Sequence, residues 1–224
     1  MQDYGYTIVN RGTSAVEINV VLRKTYFLLS LTLIFSALTA MFGVATGAMP
    51  SPLITIIGMF GLLFLTRALS NSRWGLVAVF AFTGFMGYTL APLLNLYLHN
   101  FANGGALIAT ALGGTGVIFL TLSAYVLVTR KDFTYLGGFL FAAITVAFIA
   151  SLIALFTHAP IFQVLISAAF AVISAGLILF QTSLIIQGGE RNYMMATIGI
   201  YVAVFNLFVS LLNILGFFAG SSRD

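Results

Sequence analysis

The sequence has no cysteine, four prolines and one tryptophan, and only 6% of its 224 residues are charged. Without cysteine there is no disulfide, no thiolate nucleophile and no cysteine-based zinc site. The lack of cysteine does not identify the compartment. Soluble domains carry about 25% charged residues. Nine bases and five acids cannot furnish a water-facing surface for a chain this long. The chain also lacks a His-Glu-x-x-His segment and a Gly-x-Ser-x-Gly segment, which excludes a zincin site and a nucleophile elbow.

The acids are Asp3, Glu17, Asp132, Glu190 and Asp224, and none falls deep inside an apolar run. No Lys or Arg does either. General acid–base chemistry needs a titratable group beside the reacting atom, and within the runs only tyrosines qualify. Intramembrane ionisable residues are the usual mark of proton relays and ion paths. An enzyme therefore ranks last among the possible functions, and no cofactor or metal is expected. His99 and His158 lie in separate loops on one side. Their bland reading is as interfacial histidines, and the sharper one is a shared pH-sensing or metal role.

What is present is hydrocarbon: 61% of the residues are hydrophobic. Seven runs are long enough to cross a bilayer, near 25–45, 52–66, 75–98, 105–128, 135–156, 161–186 and 193–218. The second is the shortest. The runs are continuously apolar rather than alternating, which excludes a membrane barrel. The first follows a polar-to-mixed stretch and is too long for a cleaved signal, so it reads as an uncleaved span. The expected organisation is a tail over 1–21, a seven-helix domain over 22–220, and a short tail over 221–224.

The net charge of +4 would suggest nucleic acid on a soluble protein. Here the bases sit at the ends of the runs and signal topology instead. Arg11, Arg23, Lys24, Arg67, Arg73, Arg130, Lys131 and Arg191 all fall on one side if the N-terminus is cytoplasmic, and the opposite loops carry none. The expectation is N-terminus inside and C-terminus outside, with the lipid bilayer as partner and no nucleic acid.

The spans hold small and neutral-polar residues. Gly199, Ala203, Asn206, Ser210 and Asn213 follow steps of four, three, four and three, which places them on one face of the last helix. Such a face points at other helices or at a hydrated crevice, as interhelical polar glue or as a path. Ser167, Ala171, Ser174 and Gln181 offer a matching stripe on the sixth span. The short loop around Gly188–Gly189 makes these two helices antiparallel neighbours. Gly84, Gly87, Tyr88 and Pro92 cluster in the third span. Pro92 cannot donate to the Tyr88 carbonyl, so a kink is expected there, serving either packing or a gating hinge.

Four segments carry a family resemblance: LRKTYFLLSLTLIFSALTA at 22–40, GFMGYTLAPLLNLYL at 84–98, ALGGTGVIFLTLSAYVLVTRKDFTYLGGFL at 111–140, and QGGERNYMMATIGIYVAVFNLFVSLLNILG at 187–216. Together they resemble the Bax inhibitor-1 family, and within it the bacterial YccA type. Ala91 stands where many relatives have Gly. The resemblance implies an all-α fold of six transmembrane helices around a central C-terminal one. It also implies, for many relatives, a pH-sensitive calcium leak gated by two acids on the last two helices. The positions aligned with those acids are Gln181 and Ala203 here. Two close carboxylates can share a proton or hold a hard cation, and a Gln and an Ala cannot. The YccA type implies instead a bacterial inner-membrane protein that associates with the AAA protease FtsH and restrains it. For that function the N-terminal tail would be a cytoplasmic handle rather than an idle terminus.

Overall fold

The computed structural model describes residues 15–157 and 160–221. Eight helices occupy them: α1 Ala15–Ala45, α2 Pro52–Leu69, α3 Gly75–Thr89, α4 Ala91–Asn100, α5 Gly104–Thr129, α6 Leu136–Thr157, α7 Pro160–Ile186 and α8 Tyr193–Ser221. Helices α3 and α4 together make one span, so seven stretches are long and apolar enough to cross a membrane. The second run extends three residues past the expected end, to Leu69. Helix α1 starts at Ala15, inside the segment read as tail. The first turns of that helix carry Glu17, Asn19, Arg23 and Lys24, a polar stretch that continues the apolar run rather than preceding it as coil.

Local chemistry fixes the ends. Ser51 accepts from the Ile54 amide at 3.3 Å and Pro52 follows at the first helical position, where its missing N–H costs nothing. Gly47 and Gly188 take positive φ angles of 64° and 73°. Behind each, paired bonds close the helix: Ala48 N–H to Gly43 and Gly47 N–H to Val44 for α1, then Gly189 N–H to Leu184 and Gly188 N–H to Ile185 for α7. This is the Schellman arrangement, and it needs a left-handed residue that Gly adopts without strain. Arg130 takes the same region at φ 50° to end α5. The Asn192 carboxamide oxygen then accepts from the Met194 and Met195 amides and starts α8.

The break at Leu90 separates α3 from α4 where the kink was expected. Pro92 leaves the Tyr88 carbonyl without its helical donor, while Leu90 N–H still reaches Gly87 O at 3.0 Å and Leu94 N–H reaches Leu90 O at 2.9 Å. Gly84 and Gly87 lie inside α3 and serve close approach. A methyl group at Gly84 would meet the Phe35 ring at 2.5 Å, and one at Gly87 would collide with the Ser36 carbonyl oxygen. Small residues bring α1 and α3 together in this way.

Helix α8 is the centre. It packs on α1, α3, α5 and α7, while α2 lies outside against α3 and α6 lies outside against α7. Tyr201, Ile200, Leu207 and Leu212 on α8 are fully buried, as are Leu29, Val79, Phe82 and Ile178 from its neighbours.

The α5–α6 turn is organised by Asp132, whose carboxylate accepts from the Thr134 amide at 2.8 Å and the Thr134 hydroxyl at 2.6 Å. Those bonds hold its pKa below the ordinary carboxylate value. A carboxyl lowered in this way contributes at neutral pH and stops contributing as pH falls through its folded-state value. Hydrogen exchange at the Thr134 amide is therefore expected to quicken only once the pH falls below the ordinary carboxylate range, measured against the Leu136 amide in the same turn.

Candidate polar seam between the last two helices

The segment Gln181-Thr182-Ser183 shows how the seam is built. Successive residues on a helix point about 100° apart, so three adjacent polar groups can serve three neighbours. Gln181 faces α8: a methyl group at Gly199 would lie 2.7 Å from its carboxamide carbon. The Thr182 hydroxyl meets the Tyr26 hydroxyl of α1 at 3.4 Å. The Ser183 hydroxyl accepts from the Phe133 amide at 2.8 Å and donates to the Lys131 carbonyl at 3.3 Å, tying α7 to the α5–α6 turn. Thr182 and Ser183 are fully buried, and Gln181 is half-buried.

The Gln181–Gly199 contact sets the antiparallel register of α7 on α8. Carried along two straight antiparallel helices, that register would bring Ser174 level with Asn206 and Ser167 level with Asn213. Ser167 and Asn213 do line one cavity, of about 450 Å³, together with Tyr97, Ser151 and Gln163. Asn206 and Asn213 are half-buried, and Ser210 is buried. The Ser174 hydroxyl is buried with no hydrogen-bond partner. The two stripes thus touch at Gln181 and Gly199 and border one cavity at Ser167 and Asn213.

Ala203 is fully buried but lies one turn beyond Gly199, the residue that Gln181 touches. The Gln181 carboxamide occupies space that a side chain at 199 would need, which is the physical use of a glycine there. The α7–α8 loop is held from outside the seam: the Asn192 carboxamide donates to the Ser70 carbonyl at 3.1 Å and to the Asn71 side-chain oxygen at 3.0 Å.

Among the described residues, no three His, Asp or Glu side chains come together in a group that could hold a metal ion. His99 sits in the last turn of α4. His158 lies outside the described residues, so the suggested pairing of the two histidines cannot be placed.

Sequence reading missed two tyrosines that clamp the central helix. Tyr201 receives a hydrogen bond from the Ser36 hydroxyl of α1 at 2.7 Å and donates to the Thr83 carbonyl of α3 at 3.2 Å. Tyr97 donates to the Leu212 carbonyl at 2.9 Å, and its ring fills the space over Gly216. One clamp comes from α3 and the other from α4, so the break at Leu90 falls between two points anchored to α8. The available signal was a phenol within an apolar run, which must find a partner when buried. Removing the Tyr201 hydroxyl orphans the buried Ser36 hydroxyl. Tyr201→Phe is expected to lower stability by about 1–2 kcal/mol in unfolding measurements in detergent, with helix content unchanged.

Comparison with known proteins accords with this architecture. The family model described as "Inhibitor of apoptosis-promoting Bax1" matches residues 18–220. The chain is 52% identical over 214 residues to "Modulator of FtsH protease YccA" of Escherichia coli K12, covering 95% of each. It is equally similar to "Inner membrane protein YccA" of E. coli O6:H1. An uncharacterised Pseudomonas aeruginosa protein is 49% identical over 98% of this chain and 99% of its own length. A match that runs from the first span to the last, on a bundle with a buried C-terminal helix, leaves one assignment: the chain belongs to the Bax inhibitor-1 family.

Proposed function

We propose that this chain is a multi-pass protein of the bacterial inner membrane that binds the membrane protease FtsH and modulates it. The observation that carries this reading is the 52% identity, over nearly the full length, to a protein named for that modulation. The seam supports it from the chemical side. Its polar groups are amides and hydroxyls, which hold helices together without changing charge. The N-terminus lies on the cytoplasmic side in this reading, because Arg23, Lys24, Arg67, Arg73, Arg130, Lys131 and Arg191 then share one face.

Partner binding is tested by solubilising native membranes in mild detergent and isolating the tagged chain. FtsH is expected in the isolated material at a constant ratio to the chain, and its absence under conditions that keep the FtsH complex intact would refute the proposal.

The second reading is a calcium or proton leak along the seam. The half-buried Asn206 and the cavity at Asn213 favour a hydrated path at that end. Against it stand Gln181 and Ala203, which the family resemblance aligns with the acid pair of leaking relatives.

A further inference from the structure

Helix α8 presents a second feature on the face opposite the seam. Tyr201, Val204, Phe205 and Phe208 point roughly half a turn away from Gly199, Ala203, Asn206 and Ser210. They form one wall of a cavity of about 250 Å³, completed by Ser36, Ala37 and Met41 of α1, Leu94 of α4, and Leu112 and Thr115 of α5.

Three properties define what this cavity can hold. First, its wall exposes almost no polar surface, and every hydroxyl proton on it is already used. The Ser36 hydroxyl is spent on Tyr201, Tyr201 on the Thr83 carbonyl, and Thr115 on the Ala111 carbonyl at 2.7 Å. A water there would lack the two to four polar partners it needs. Second, it has room: apolar cavities of about 150 Å³ already admit benzene. Third, its mouth faces lipid. Helices α1 and α5 scarcely touch, and the residues along the gap, Ala37, Met41 and Leu112, are exposed. Leu112 lies eight residues into α5, about 12 Å along its axis, at hydrocarbon rather than headgroup depth.

We propose that this cavity is a binding site for the acyl chain of a bilayer lipid, which enters between α1 and α5 and ends against Tyr201 and Phe205. The ligand is wholly apolar at the buried end, because any polar group carried there would be left unpaired. The occupied site would lie beside the Ser36–Tyr201–Thr83 hydrogen bonds that join α1, α8 and α3.

The test uses the full chain in bilayers containing phosphatidylcholine brominated on its acyl chains. The single native indole is removed by Trp74→Phe and a reporter is introduced by Phe205→Trp. Bromolipid is expected to quench the F205W indole as strongly as the indole of a Phe141→Trp control, which faces lipid on α6. Adding Ala37→Phe or, independently, Leu112→Phe narrows the mouth and should abolish quenching at 205 while leaving the control unchanged. Two plugs on different helices guard against one of them failing to fold. No bromolipid quenching at 205 in the unplugged chain would overturn the proposal. So would quenching that survives both plugs, or efficient quenching by aqueous acrylamide, which would mark a water-filled crevice.

Discussion

Gly87→Ala is expected to be among the most damaging single changes in the bundle, costing about 3 kcal/mol. The added methyl group would collide with the Ser36 backbone carbonyl and lie 2.7 Å from the Ser36 hydroxyl. A backbone atom cannot swing aside, so α1 and α3 must separate. That separation also pulls Ser36 from Tyr201 and loosens the clamp on α8. The matched control is Gly113→Ala or Gly116→Ala, where nothing lies within 4 Å of the new methyl group. Those variants should fall within about 1 kcal/mol of the parent, on the stabilising side, because Ala favours helix over Gly. Unfolding in detergent followed by circular dichroism separates the two classes. If Gly87→Ala unfolds with the parent, the α1–α3 contact is not as close as described.

The second large effect concerns the N-terminal segment. Removing residues 2–14 is expected to lengthen the half-life of the chain several-fold in cells that contain FtsH, and to leave it unchanged in cells that lack the protease. The reasoning is mechanical. A bundle whose helices are pinned at Tyr97, Thr182, Ser183 and Tyr201 resists unfolding, so an ATPase acting from the cytoplasm needs a handle outside the bundle. The deletion stops at residue 14 because α1 begins at Ala15. A cut to residue 20 would remove the first turn and a half of that helix, including Glu17. The segment itself lies outside the described residues, so the prediction rests on the proposed function. Pulse–chase decay that is identical for the full and shortened chains would show that the handle is elsewhere.

Much of the architecture was legible in the residues. Continuous apolar runs and one-sided Arg and Lys gave seven spans, because burying a charge in hydrocarbon is costly enough to dictate placement. The step pattern from Gly199 to Asn213 marked one face of α8, and Gly199 on that face packs against Gln181 of α7. Pro92 marked the break at Leu90. The start of α1 was less legible, since Glu17, Asn19, Arg23 and Lys24 look like tail but continue a helix that projects past the hydrocarbon. The meaning of Gly84 and Gly87 was open between hinge and packing, and only the position of Phe35 and Ser36 on a helix distant in sequence gives them a packing role. The tyrosine clamps were hidden for the same reason. Besides the Ser36 hydroxyl, their partners are the backbone carbonyls of Thr83 and Leu212, which carry no sequence signature. Gln181 was singled out from the sequence, but its packing on Gly199 depends on the stagger of α7 against α8, which spacing on one helix does not reveal.

The central claim is that the seam between α7 and α8 is neutral scaffolding and not a proton-controlled calcium path. The most direct measurement is calcium entry into sealed proteoliposomes across the physiological pH range, comparing the native chain with Gln181→Glu/Ala203→Asp, verified to fold by its circular dichroism. The account predicts that the native chain admits no more calcium than protein-free liposomes at any pH, and that any leak is confined to the double variant. Calcium entry through the native chain that rises or falls with pH would contradict it.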